Sequence, residues 1–285
     1  MPLVIRRIRE GLPLLPFFGF VGVFLVVPTV TVIVSAFVGD EGGFTLERVN
    51  ALFSPTALTA LWRSLLLSGS TAILGAILGA VLAWLILARP ATSLLRRAAL
   101  ALCSVLAQFG GVALAFAFLA TIGLNGVLTL WLADLFGFNL ATGGWLYGLS
   151  GLILVYTYFQ IPLMVIVFLP ALEGLRDQWR EAAVSLGAST WQYWREVAVP
   201  LLTPAFLGAT LLLFANAFAA YATAAALVSQ GSPILPLLIR SALTSEVVLG
   251  QSGFAYALAL EMIIVVALVM IAYNLLVRRT SRWLQ

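Results

Sequence analysis

The spacing of charges restricts this 285-residue chain more than any other feature. Between Glu10 and Asp40 lie 29 uncharged residues, and between Arg63 and Arg89 lie 25. The intervals Arg97 to Asp134, Asp134 to Glu173 and Glu196 to Arg240 hold 36, 38 and 43. The last, Glu246 to Arg278, holds 31 residues interrupted only by Glu261. A helix that crosses hydrocarbon needs about 20 mostly apolar residues, so each interval accommodates one crossing. With 9% charged residues the chain cannot cover a water-soluble particle with charge, because an ordinary soluble domain is roughly one quarter charged. The expected fold is all-α and polytopic, with about six transmembrane helices at 12–38, 61–88, 98–122, 147–172, 201–228 and 253–277.

All fifteen basic residues are Arg, and their distribution predicts an orientation. Arg6, Arg7, Arg9, Arg89, Arg96, Arg97, Arg176, Arg180, Arg195, Arg278, Arg279 and Arg282 fall on one side of the six crossings, against Arg48, Arg63 and Arg240 on the other. Loops rich in Arg stay on the cytoplasmic side. Both termini and the loop 173–200 are therefore expected there, in a multi-pass membrane protein. The basic start followed by an apolar run is read as a retained anchor, since that run far exceeds the 7–15 residues of a signal-peptide core.

Composition also excludes chemistry. The chain has no His, no Lys and a single Cys, Cys103. A Ser-His-Asp triad, a zinc site and a phosphate-binding loop with its Lys each need residues that are missing. No enzyme activity, metal or bound cofactor is expected, and any ATP used must be hydrolysed by a partner subunit. The net charge of +4 reads as a topology signal and not as a nucleic-acid surface.

The loop between the fourth and fifth crossings carries the most information. Leu172, Leu175, Trp179, Ala182, Ala183 and Leu186 recur at helical spacing and form one apolar stripe, with Arg176, Asp177, Arg180 and Glu181 largely opposite. This predicts an amphipathic helix outside the bilayer. Gly187 stands where a helix end turns to positive φ, a conformation that costs glycine little. Ser189 and Gln192 have the spacing of a capping box that starts a second helix near Thr190. Pro200 then opens the fifth crossing, where its missing N–H is tolerated.

These residues resemble the EAA loop of permease subunits in binding-protein-dependent ABC importers. That family's pattern is Glu-Ala-Ala, three residues, Gly, nine residues, then Ile-x-Leu-Pro. Here it reads Glu181-Ala182-Ala183, three residues, Gly187, nine residues, then Val197-Ala198-Val199-Pro200, with apolar Val replacing Ile and Leu. The resemblance implies the type I importer permease architecture in one transmembrane domain, 1–285, whose loop 173–200 couples to cytoplasmic ATPase subunits. Glu181, Ala182, Ala183, Leu186, Gly187 and Pro200 would form the coupling surface. It further implies a second permease subunit, identical or different, and an extracytoplasmic solute-binding protein. Phe44-Thr45-Leu46-Glu47 and Leu52-Phe53-Ser54-Pro55 resemble the loop before the second crossing in the polyamine, iron and phosphonate branch. A polyamine is the expected solute, with iron(III), a phosphonate or thiamine as alternatives. An ion-coupled secondary transporter is the alternative class, but it would show internal repeats and several buried ionisable groups.

Polar residues inside the crossings mark the expected translocation path, because lipid disfavours them. Asn216, Ala220 and Thr223 share one face, Tyr156 and Gln160 another, and Glu261 is the ionisable residue well inside a crossing. The path assignment comprises Gln160, Asn216, Thr223 and Glu261. Gly75 and Gly79, with Ala72, Ala76, Ala80 and Ala83, make the second crossing a small-residue helix suited to close packing within the subunit. The segment 231–250 is expected to hold a short interfacial or gate-forming helix at Leu235 to Leu243.

Overall fold

The computed structural model describes residues 15–39, 42–228, 234–244 and 251–281. The predicted residues 12–14, Arg6, Arg7, Arg9 and Arg282, and both flanks of the 235–243 helix lie outside them. Among the described residues the chain is helical, with one isolated bridge between Val38 and Phe44. In chain order the helices are α1 (Leu15–Val21), α2 (Val27–Ser35), α3 (Glu47–Asn50), α4 (Pro55–Leu87) and α5 (Leu94–Gln108). Next come α6 (Gly111–Ile122), α7 (Val127–Phe136), α8 (Leu149–Glu173), α9 (Asp177–Ser185) and α10 (Thr190–Tyr193). The last are α11 (Val199–Ala219), α12 (Ala222–Leu227), α13 (Leu235–Thr244) and α14 (Gln251–Ser281).

Among the described residues six stretches are long and apolar enough to span: Pro16–Ser35, Pro55–Leu87, Gly111–Phe136, Leu149–Glu173, Thr190–Ala219 and Gly253–Leu275. The first, fourth and sixth match the expected crossings. The second begins earlier, at Pro55, whose missing N–H is harmless in the first turn, while the Ser54 hydroxyl accepts from the Ala57 N–H at 3.4 Å. At 33 residues α4 is about 50 Å long, longer than the hydrocarbon is thick, which accommodates Arg63 in its first turns.

The third and fifth crossings need correction. Residues 98–122 do not form one helix: α5 stops at Gln108, Phe109 leaves helical geometry at φ −81°, ψ 77°, and Gly111 restarts the chain at φ 70°. The long apolar stretch is instead Gly111–Phe136, itself made of α6 and α7. Residues 201–228 are interrupted at Ala220, which is extended at ψ 110°. Nor does Pro200 begin a crossing, because the helix runs continuously from Thr190. A π turn at Trp194–Ala198 ends two residues before Pro200. A wider turn there absorbs the proline ring and its missing donor, which inside a regular helix would kink the chain. The same arrangement recurs at Gly22–Val26, two residues before Pro28.

The chain divides into two compact units, residues 1–58 with 238–264, and 59–237 with 265–285. In the first, Arg48 of α3 donates to the Ser35 carbonyl at the end of α2 at 2.8 Å. Gly253 at the start of α14 lies directly beside the Arg48 guanidinium, so a Cβ there would collide with it.

The second unit has two buried clusters. One joins Ala72, Ala76 and Ala83 of α4 to Met164 and Phe168 of α8 and Leu202 and Leu213 of α11. The other joins Leu67 of α4, Leu114 of α6, Tyr156 of α8, Ala217 of α11 and Ala224 of α12. The small-residue face of α4 packs within the chain. A Cβ on Gly75 would lie 2.6 Å from the Gln160 Cβ, and one on Gly79 would meet the Met164 Cβ and stand 2.7 Å from the Ile161 carbonyl oxygen. Small residues permit this approach of two backbones, and dispersion between closely packed helices is a main source of their association in a bilayer.

Candidate functional site

Glu173 ends α8, and Gly174 and Leu175 turn the chain out of it, with the Leu175 N–H donating to the Leu172 carbonyl at 3.2 Å. Leu172 therefore belongs to the crossing, where it is buried, and not to the amphipathic helix that its spacing suggested. Arg176 is extended and leads into α9, whose first turn carries Asp177, an acid favourably placed beside unpaired N–H groups. Across the unit, Arg96 of α5 and Glu173 form an ion pair that ties the start of one helix to the end of another.

Gly187 has φ +79°. Its N–H donates to the Val184 carbonyl and the Ala188 N–H to the Ala183 carbonyl, both at 2.9 Å. These two bonds close a Schellman turn, which consumes carbonyls that the helix end would leave unpaired. The capping box follows directly: the Ser189 N–H donates to Gln192 Oε1 at 2.7 Å, and the Gln192 N–H donates to Ser189 Oγ at 3.3 Å. Both features act through residues at most five apart, and both were read correctly from sequence.

Glu181, Ala182, Leu186 and Gly187 are exposed, and Ala183 is half-buried. Leu186 is 88% exposed, Trp191 72% and Val184 61%. A helical hairpin thus presents apolar side chains beyond the end of a membrane helix, uncovered by any of the described residues. Pro200 lies beyond the π turn, about two turns further along.

The polar residues inside the crossings separate into different settings. A cavity of about 220 Å³ is lined by Asn216, Ala220, Thr223, Gly110, Gly111 and Phe159, among others. It lies where the α5/α6 break meets the α11/α12 break, and a Cβ on Gly111 would stand 3.7 Å from that of Ala222. The Tyr156 hydroxyl donates to the Ala220 carbonyl at 2.7 Å, satisfying an acceptor that the break frees from the helix. Broken helices of this kind persist at membrane depth only where the freed backbone finds partners or lines a cavity. Asn216 and Thr223 therefore meet at one site, together with a glycine pair that polar-residue reasoning missed. The signal was the adjacent Gly110-Gly111, which is a breaker without charge.

Gln160 does not line that cavity. It is fully buried, and its Nε2 donates to the Leu213 carbonyl at 3.1 Å and to Thr71 Oγ1 at 3.5 Å, joining α8 to α11 and α4. Glu261 lies in the other compact unit, about two turns into the crossing Gly253–Leu275. Its Oε2 is buried with no hydrogen-bond partner among the described residues. No group of three or more metal-ligating side chains occurs among the described residues.

Residues 127–282 match the model of a family described as the inner membrane component of binding-protein-dependent transport systems. The chain belongs to this family. It is a multi-pass membrane permease and not an enzyme. The spermidine/putrescine transport system permease protein PotB of Haemophilus influenzae is 25% identical over 270 residues, 90% of each chain. The thiamine transport system permease protein ThiP of the same organism is 33% identical over 106 residues. That match covers 37% of this chain and only 19% of the relative. The sulfate permease CysW of Escherichia coli is 29% identical, over 68% of this chain and 62% of its own. Among solved structures, that of a bacterial ABC transporter importing the acidic polysaccharide alginate superposes with a TM-score of 0.79. The superposition covers 97% of this permease and 98% of that chain at 18% identity, a likeness of fold.

Proposed function

We propose that this permease forms the solute path of an ABC importer and that α9, Gly187 and α10 are its handle for a separate ATPase subunit that binds and hydrolyses ATP. The observation that carries this reading is the exposed apolar edge of the hairpin at Val184, Leu186 and Trp191. Such a patch needs a burying surface, and Glu181, Ala182 and Ala183 beside it have the family's spacing. The excess of Arg around the loop 173–200 and at both chain ends supports a cytoplasmic location for them, where ATP is available. A second permease subunit completes the path, and a binding protein on the opposite face delivers solute. Closure of the ATPases on ATP draws the handles together, shifting the population from inward-open to outward-open.

Leu186→Glu tests the handle. Leu186 is almost fully exposed, so the variant is expected to insert and fold as the parent does, while recovery of the ATPase subunit in detergent pull-down falls about tenfold or more. Equal recovery would remove the handle from this hairpin.

The solute we assign is a polyamine. The polyamine permease is similar along nine tenths of this chain, and Glu261 supplies a carboxylate inside a crossing, where an unpaired charge is costly and a cation would offset it. Asn216 and Thr223 line the path at the paired breaks, while Gln160 holds the helices around it. Cells carrying the complete system are expected to accumulate labelled putrescine or spermidine, and Glu261→Gln is expected to reduce that uptake while leaving assembly intact. Accumulation of thiamine or sulfate instead would overturn the assignment.

A further inference from the structure

We infer that a groove between α4, α8 and the start of α11 is a binding site for one anionic glycerophospholipid, its acyl chain in an apolar slot and its phosphate at Arg176 and Arg180. The slot is a cavity of about 430 Å³ with walls that include Val81, Trp84, Phe168, Leu172, Trp194 and Phe206. Its polar side chain, Thr203, spends its hydroxyl on the Val199 carbonyl at 2.7 Å. Apart from the indole N–H groups of Trp84 and Trp194 the side chains of the slot offer a ligand only hydrocarbon, so an acyl chain gains contact along its whole length.

A second cavity, of about 690 Å³, shares Trp84, Leu172 and Trp194 with the slot and continues to Arg176, Asp177 and Arg180. The two together change from hydrocarbon to charge across a pair of Trp side chains, the order of a bilayer interface. Neither guanidinium forms an ion pair among the described residues, and Arg176 lies 6.0 Å from the Trp179 ring centroid. Two cations against the single carboxylate of Asp177 leave a positive rim. Basic pockets at this depth select phospholipid headgroups that carry net negative charge. A zwitterionic lipid offers the slot the same chain and the rim no net charge. The rim shares α9 with the proposed handle, and Val184 of that handle also lines the second cavity, so the inference is tested on the permease alone, where no ATPase subunit competes for the surface.

Trp84 and Trp194 supply the test. The full chain is placed in nanodiscs of phosphatidylcholine containing a minor share of either brominated phosphatidylglycerol or brominated phosphatidylcholine. Quenching is compared between the parent and Trp84→Phe/Trp194→Phe, whose difference isolates the groove. Groove quenching by the glycerol lipid is expected at about tenfold lower lipid content than by the choline lipid. In Arg176→Gln/Arg180→Gln, both exposed positions, that preference is expected to vanish. Should the Trp variant not fold, native mass spectrometry of the parent and the Arg variant is expected to show retained phosphatidylglycerol in the parent alone. Equal quenching by both lipids, a preference that survives loss of both Arg, or no groove quenching at all, as a protein subunit seated there would give, overturns the inference.

Discussion

Gly79→Val is expected to lower the thermal stability of the purified permease by roughly 2–5 °C, and to reduce the yield of monodisperse protein, whereas Gly69→Val on the same helix changes neither. A Cβ at Gly79 meets the Met164 Cβ, with Met164 Cγ at 2.8 Å and the Ile161 carbonyl oxygen at 2.7 Å. The carbonyl is backbone and cannot turn aside as a side chain could. Relief requires α4 and α8 to separate, which opens the cluster of Ala72, Ala76, Ala83, Met164 and Phe168 packed between them. Overpacking of a well-packed core typically costs about 1–3 kcal/mol. A Cβ at Gly69 meets nothing within 4 Å, so the same change of residue, helix propensity and apolarity is made there without a collision. Melting by intrinsic fluorescence and size-exclusion profiles in detergent make the comparison. A Gly79→Val protein that melts within about 1 °C of its parent would mean that the helices do not approach this closely.

What could be read before the structure divides according to the range of the physics. Charge spacing was enough to count six crossings and to locate the first, fourth and sixth, because hydrocarbon excludes charge wherever a helix packs, but it misplaced the third, which runs through Asp134 near its end. The turn at Gly187 and the Ser189–Gln192 box are closed by bonds between residues at most five apart, and local sequence contains all of their causes. The breaks at Phe109 and Ala220 change neither charge nor hydropathy, so a reading by charge intervals ran straight through them. At Ala220 the cause is not local at all, since the hydroxyl that accommodates the freed carbonyl belongs to Tyr156. Helical periodicity likewise assigned Leu172 to the wrong element, because the period continues unaltered across Gly174 while the chain does not. Gln160 and Asn216 looked equivalent as amides within crossings. What separates them is the Leu213 carbonyl, which takes the Gln160 amide, and the cavity at the breaks, which Asn216 lines.

Gly187→Val and Gly137→Val are expected to behave alike as folding variants and oppositely as transport variants. The two glycines have φ of 79° and 67°, each follows a helix, and a Cβ at either meets nothing within 4 Å. Each substitution forces a residue with a Cβ into left-handed geometry, at about 1–2 kcal/mol, so membrane levels of the two proteins should match. Their positions differ. Gly137 turns the chain after α7, where its N–H donates to the Ala133 carbonyl at 2.9 Å. Gly187 sets the direction in which α9 hands over to α10, and with it the relative placement of Glu181, Leu186 and Trp191 on the proposed handle. Relaxing that turn keeps every side chain of the handle and disperses their arrangement, which removes a docking surface without removing its chemistry. In the reconstituted importer, stimulation of ATP hydrolysis by loaded binding protein is expected to fall about tenfold or more in Gly187→Val. It should stay within about twofold of the parent in Gly137→Val, a difference below 0.5 kcal/mol. Equal stimulation in the two variants would show that the geometry of this turn carries no force between subunits, and the handle would have to be sought on another exposed edge.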